Sequence, residues 1–350
     1  MPVSCRVIYS KDLELLLAAH SVLLKDGAKT AAAQTWEKTK LDRLARKYPV
    51  LFEVTRALGM PYSLWLCEPL TEYPLEDFSL EAYGGYLDAM APEELLHMVL
   101  DLDFYPQYGP GEVRRAMADD TAAQELLEAL DGERQLPFLA FRTFLRQIKE
   151  LARDMLCLAR DLDDESFEEA LERYGSKLRQ QHNVMEQALK ETDPLTYSEQ
   201  LMGKTFKNRG PYTVYRFMPA LFLHYKACRF SRPGEFSRVQ FLIMSQWTEE
   251  DAAKAAVRKL KAMADEGRFR ILTLLAEGEA LRGMDIAKLL KLAPSTVSHH
   301  MDQLRQAGLI HEETMKDGKF YSLNRLGIQS VMKTLEEQFN ETNQNQIAAP

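Results

Sequence analysis

This chain has no paired-cysteine motif, no glycine-rich phosphate loop and no long apolar run. Its four cysteines, Cys5, Cys67, Cys157 and Cys228, are scattered over 350 residues without a Cys-x-x-Cys or any regular spacing. That pattern excludes a disulfide framework and a zinc knuckle, and reduced thiols are the expected state. The longest apolar stretches, residues 15–24 and 239–247, fall short of the about 18–20 residues that span a bilayer. Residues 13–24 do not form a secretory leader either: Glu14 and His20 interrupt them, and Asp12 stands where a basic segment belongs. A cytoplasmic protein without membrane contact is expected. Missing too are Gly-x-Gly-x-x-Gly after a strand, Gly-x-x-x-x-Gly-Lys-Ser/Thr, Gly-x-Ser-x-Gly and His-Glu-x-x-His, so no enzyme and no cofactor are expected.

What is present is an ordinary globular composition, 46% hydrophobic and 27% charged, over a length suited to two domains. The net charge of −8 argues against a general polyanion binder, but it is unevenly spread. Residues 251–340 hold 14 Lys/Arg and 12 Asp/Glu, about +2, which leaves about −10 for the rest. Residues 3–9, β-branched and aromatic, read as a strand. Leu13, Leu16, Leu17 and Val22 then begin a helical texture that runs to about residue 195. Helices are expected over 35–58, with Leu41, Leu44, Ala45 and Val50 as apolar positions, over 92–102 opened by Pro92, and over 119–130, 136–162 and 166–190. The acidic run 161–169 suits a helix start. Between 211 and 245 strands are expected at 212–217 and 239–244, with a turn at 231–234 and the 3–9 segment paired beside them.

The next boundary falls near residue 246, before Thr248, an N-cap residue followed by Glu249, Glu250 and Asp251. Val257, Leu260 and Met263 line a first helix, over 249–264. Asp265 caps a second, with Phe269, Ile271, Leu272, Leu274 and Leu275 as its apolar positions. A short helix over 284–290, a connection at 291–293 and a helix from Pro294 to Gly308 follow. A strand at 309–314, a turn at 316–319 and a return strand at 320–323 complete the order of a winged helix-turn-helix. In the helix from Pro294, Val297, Met301 and Leu304 repeat at i, i+4 and i+7 and anchor it, so Ser295, Ser298, His299 and Arg305 project elsewhere. Short hydroxyls and imidazoles in the first two turns suit base edges in a DNA major groove, and the free N–H groups there suit a phosphate. Lys316 and Lys319 on the hairpin tip suit neighbouring phosphates.

Leu260-Lys-Ala-Met-Ala-Asp265 with Arg268-Phe-Arg-Ile-Leu272, then Ser295-Thr-Val-Ser-His-His-Met-Asp-Gln-Leu-Arg-Gln-Ala-Gly-Leu309 and Asp317-Gly-Lys-Phe-Tyr-Ser-Leu323, resemble the ArsR-type winged-helix regulators in order and spacing. The resemblance implies a transcriptional repressor whose DNA contacts are Ser295, Thr296, Ser298 and His299, with His300 a weaker candidate. It is expected to work as a homodimer on double-stranded operator DNA, with half-sites ~34 Å apart. The first helix and a terminal helix with the apolar stripe Leu326, Val331, Leu335 and Phe339 are the expected dimer surface. Arg282 and Met284 occupy the positions of the family's Cys-x-Cys, and residues 326–339 contain neither His nor Asp, so the family's metal sites are absent. Ala293 stands where a capping serine is common.

The fold class expected is therefore mainly α: a large helical domain with a small β element over 1–245, a winged helix-turn-helix over 246–340 and a flexible tail over 341–350. The Asp12-Leu-Glu-Leu-Leu-Leu-Ala-Ala-His20 start resembles the extensions of oversized ArsR-type regulators, which implies a domain sensing a non-metal ligand or a partner. Two alternatives remain open: a helical enzyme with a regulatory winged helix, and a protein-interaction scaffold. For the former, Glu94 and His97 fit half a di-iron pair, and His224 and Cys228 fall one turn apart if that segment is helical. Trp36, Trp65 and Trp247 are either core residues or the lining of an apolar effector pocket.

Overall fold

The computed structural model describes residues 3–24, 36, 38–59, 62–131, 136–202, 212–225, 227–232, 239–245, 252–278, 280–315, 318–325, 327–332 and 334–336. Lys316, Leu326, Phe339, Trp247, the Thr248 cap, the 233–234 part of the expected turn and the 341–350 tail lie outside these. The chain divides into two compact units, residues 1–195 with 209–247, and 196–208 with 248–350. The described residues 196–202 group with the second unit.

The first unit runs β1 (Ser4–Val7), α1 (Lys11–Val22), α2 (Lys38–Lys47), α3 (Pro49–Leu58), α4 (Leu80–Ala89), α5 (Pro92–Val99), α6 (Pro110–Ala118), α7 (Asp120–Asp131), α8 (Phe138–Arg146), α9 (Ile148–Asp161), α10 (Glu165–Glu191), β2 (Val214–Pro219), β3 (Ala227–Arg232) and β4 (Val239–Met244). Its sheet has the order β1-β2-β4-β3. β1 and β2 pair in parallel from Ser4↔Val214 to Val7↔Phe217, and β2 and β4 in parallel from Val214↔Val239 to Pro219↔Met244. A parallel pair needs a long crossover, and here the helices between residues 7 and 214 supply it. β3 runs antiparallel to β4 and was not foreseen. It corrects the helical reading of His224 and Cys228: Cys228 is a strand residue, so the two are not one helical turn apart.

α1 lies inside this unit, with every residue from Leu13 to Val22 buried. A helix apolar on nearly all sides has no solvent face to offer. Trp36 stacks on Phe222 at 5.2 Å and Trp65 meets Phe144 edge-on at 5.3 Å, so both are core residues. Two long patterns break. The 35–58 stretch splits at Tyr48, whose ψ of 56° leaves the helical range before Pro49, and Val50 is exposed rather than core. The 136–162 stretch splits at Gln147, at φ −115° and ψ 22°, without a Pro or Gly to mark it.

α11 (Pro194–Met202) is followed in the second unit by α12 (Ala252–Met263), α13 (Glu266–Glu277), β5 (Leu281–Arg282), α14 (Gly283–Leu290), α15 (Pro294–Gln306), β6 (Ile310–Met315), β7 (Gly318–Leu323) and helical residues 327–332 and 334–336. Its core joins Ile271, Leu275, Ile286, Val297, Met301, Leu304 and Leu309. The wing is a three-stranded sheet, β5-β7-β6, with β6 and β7 antiparallel from Ile310↔Leu323 to Met315↔Gly318. β5 is an addition to the expected hairpin, and its Arg282 guanidinium lies 5.0 Å over the Phe320 ring. Val257, Leu260 and Phe269, expected to be apolar anchors, are exposed in the chain. Among the described residues no helix is long and apolar enough to cross a membrane.

Candidate nucleic-acid interface

α14 ends at Lys291, held at φ 54°, and Leu292 and Ala293 lead to Pro294 at the first position of α15. Proline has no N–H to leave unsatisfied there, and Ala293 provides no side-chain cap. At the other end Gly308, at φ +72°, closes the helix. Leu309 N–H bonds to Leu304 O and Gly308 N–H to Arg305 O, both 2.9 Å, the two bonds of a Schellman motif that only a left-handed residue completes without strain. These two ends set the span and the entry angle of the helix.

Between them Val297, Met301 and Leu304 are buried. Ser295, Thr296, Ser298 and His299 are exposed, and the three hydroxyls have no hydrogen-bond partner among the described residues. The structure therefore brings the four leading candidates to one open end of α15. His300 departs from them. It is half-buried over Gly267, with Nε2 3.9 Å from Asp265 Oδ1. Asp265 caps α13 by accepting from Arg268 N at 2.9 Å, and that bond holds its carboxyl below the usual value.

Arg305 is exposed but not unpaired. It lies 3.3 Å from Asp302 and 3.7 Å from Glu312 Oε2, while Lys319 Nζ meets Glu312 Oε1 at 2.8 Å. One carboxylate thus faces both described cations at the wing side of the site. Donating to the Glu312 carboxylate raises the Lys319 ammonium above its ordinary value. Of the expected dimer stripe, Val331 is already buried in the single chain and Leu335 is half-buried.

A network behind this face had no signal in the linear motif. Arg268 donates through Nε to Ala262 O at 2.5 Å, through Nη2 to Lys261 O at 3.2 Å and through Nη1 to Gln303 Oε1. Gln303 Nε2 stands 2.9 Å from His299 Nε2. The His299–Gln303 spacing of four was visible in the sequence, but Arg268 lies 35 residues from Gln303 and could be placed only by the fold.

The other constellations hold no comparable site. Glu94 accepts from Ala91 N at 3.2 Å and serves as a helix cap, and His97 lies 3.7 Å from Asp103. His224 Nδ1 is 3.4 Å from Ser21 Oγ, and burial pushes its pKa down to about 4. Burial pushes the Cys228 thiol up to about 12. Among the described residues no three His, Cys, Asp or Glu side chains are grouped to hold a metal.

The family model for "Bacterial regulatory protein, arsR family" matches residues 265–312, from the α13 cap into β6. The transcriptional activator HlyU of Vibrio cholerae is 33% identical over 99 residues, 28% of this chain and 90% of that protein. The transcriptional repressor SdpR of Bacillus subtilis is 36% identical over 69 residues, 20% of this chain and 76% of that one. Among solved structures, reduced HlyU from Vibrio cholerae shares 30% identity, covering 25% of this chain and 90% of its own at a TM-score of 0.21. An ArsR-like regulator from Rhodococcus sp. RHA1 shares 21%, covering 27% and 90% at a TM-score of 0.26. Through its second unit, this chain belongs to the arsR family of bacterial regulatory proteins.

Proposed function

We propose that the protein is a cytoplasmic DNA-binding transcriptional repressor that sets α15 into a major groove as a homodimer, while its first unit answers to a non-metal ligand or a partner. The observation that carries this reading is the division of α15 into a buried row, Val297, Met301 and Leu304, and an open row of hydroxyls and imidazole, Ser295, Thr296, Ser298 and His299. Repression is the proposed sign because the family's simplest output is occupancy of an operator. SdpR carries that sign by name and HlyU the opposite one, so a promoter fusion with and without the gene tests it directly.

Dimerisation is supported by Val257 and Leu260 on α12 and by Met332, apolar side chains left exposed in the single chain. Lys259 Nζ donates to Ser330 Oγ at 2.6 Å and ties α12 to the terminal helix, so these groups share one region. Leu260→Glu should shift a sedimentation profile from dimer to monomer. Effector binding is supported by a cleft of about 310 Å³ between α4 and α9, lined by Gly84, Gly85, Lys149, Arg153, Cys157 and Arg160 among others. Its size is at the lower end for small-molecule sites, and its walls set Leu87, Ala152 and Leu156 beside the charged Lys149, Arg153 and Arg160. We assign the chain no catalytic step.

The decisive experiment is titration of the full chain with duplexes from its own upstream region over a range of salt. A DNA-binding protein loses affinity in proportion to the phosphates it neutralises. Ser298→Ala and His299→Ala should each weaken the preferred duplex by about 1–3 kcal/mol. Lys319→Ala should weaken all sequences alike. The competing scaffold reading draws on Glu312, which offsets both Arg305 and Lys319. Binding that is absent at low salt would leave that reading standing and remove ours.

A further inference from the structure

The Arg268–Gln303–His299 chain carries a consequence for what α15 reads. A guanidinium has donors only, so the Gln303 atom facing Arg268 Nη1 is the carbonyl oxygen. Arg268 cannot swing away to relax that choice, because its Nε and Nη2 hold the Ala262 and Lys261 carbonyls at the end of α12. With Oε1 committed, the atom that Gln303 turns to His299 is its NH2 group, 2.9 Å from Nε2. An amide nitrogen donates and does not accept. His299 Nε2 must then be the unprotonated, accepting nitrogen, and the ring proton sits on Nδ1. Turning the ring over would set a C–H against the amide donor and lose the bond. Nδ1 has no partner among the described residues, and the ring is exposed.

We infer that Arg268, acting through Gln303, holds His299 as the neutral Nδ1–H tautomer and so makes it a donor that reads an acceptor on the major-groove edge: a purine N7 or the keto oxygen of guanine or thymine. The inference rests on the DNA-binding reading above. It selects among bases, since cytosine offers only its N4 donor to the major groove, while adenine can be read only at N7 and guanine at N7 or O6. Arg268 and Gln303 act through His299, as positioning residues.

Long-range proton–nitrogen correlation spectra of the imidazoles in the full chain, above neutral pH, test the tautomer directly. The wild type should show His299 with Nδ1 protonated and Nε2 bare. Gln303→Leu and Arg268→Met should lose that preference. Gln303→Glu should invert it, because a carboxylate still accepts from Arg268 but presents a second acceptor to Nε2. A purely structural role for Gln303 predicts no inversion. On DNA, replacing purines of the preferred site one at a time by 7-deaza analogues should reveal one position per half-site where affinity drops about fivefold to 150-fold. Where the acceptor is a keto oxygen instead, the same loss should appear with its thio or deoxo analogue. The loss should vanish in His299→Ala. Nε2 protonated in the wild type, or an analogue effect unchanged in His299→Ala, would overturn the inference. Failure of the wild type to bind any duplex would instead overturn the DNA-binding reading, and the spectra would still decide the tautomer.

Discussion

In α1, Glu14, His20 and Ser21 are wholly buried; in α15, Ser295, Thr296, Ser298 and His299 stand exposed. The side-chain types overlap, and the difference lies in their neighbours. α1 surrounds its polar residues with Leu13, Leu15, Leu16, Leu17, Ala18, Ala19 and Val22, so no face is left for water and its polar groups depend on partners inside the protein. Glu14 accepts from Leu221 N at 2.8 Å and Phe222 N at 3.2 Å, and Ser21 Oγ donates to Phe222 O. α15 has one apolar row, and Ser295, Thr296, Ser298 and His299 lie outside it, exposed. Polar residues on a helix are structural where the apolar pattern closes round them and available where it does not.

The comparison is broken most severely by Glu14→Gln, for which the largest effect is expected. Burial raises the Glu14 pKa from 4.5 to about 8, with the Leu221 and Phe222 amides pulling the other way. A folded-state value above the unfolded one means stability that is complete below about 4.5 and is lost as the pH rises through about 8. His224, depressed from 6.5 to about 4 by burial, gives the opposite slope in the window between those values, so the informative quantity is the difference between variant and wild type. Urea unfolding at pH 5 and pH 8 should show Glu14→Gln less stable by about 1–3 kcal/mol at pH 5, where its amide N–H is buried in place of the acid, and lacking the wild-type decline toward pH 8. A variant that kept the full decline would show that Glu14 is ionised throughout.

The matching substitutions in α15 should do the reverse. Ser295→Ala and Ser298→Ala remove exposed hydroxyls without internal partners, so unfolding should change by no more than about 0.5 kcal/mol. DNA affinity should fall in each by about 1–3 kcal/mol. If either variant melted like Glu14→Gln, the open face of α15 would be packed in solution and the contrast with α1 would collapse.

The unequal legibility of the two units follows from the same physics. The α15 anchors, its Gly308 terminus and the strands β1, β2 and β4 could be read because each rests on a local pattern. β3 could not: His224 and Cys228 stand at helical spacing, and only the antiparallel ladder to β4 makes Cys228 a strand residue. β5 is two residues long, Leu281 and Arg282, with no alternation to detect. The exposure of Val257, Leu260 and Phe269 was hidden because amphipathic spacing shows which side is apolar, not whether the chain itself covers it. At the site, the exposed row was legible from what the buried row left over. The orientation of Gln303 was not, since it depends on Arg268 arriving from another helix.

The smallest expected effect concerns Glu312 and sharpens the contrast from the wing side. Its carboxylate holds Lys319 Nζ at 2.8 Å and lies 3.7 Å from Arg305 Nε. A half-exposed pair of this kind contributes about 0–1 kcal/mol to stability, so Glu312→Gln should fold normally. What changes is the charge available to a phosphate: two cations now shared with one anion become free. Affinity for any duplex should rise, and the slope of log affinity against log salt should steepen by up to about two units, one per phosphate newly neutralised. Discrimination between the preferred duplex and a scrambled one should not improve, because phosphate contacts carry no sequence information. A slope that stayed unchanged would place Lys319 and Arg305 away from the DNA backbone and leave recognition to the open row of α15 alone.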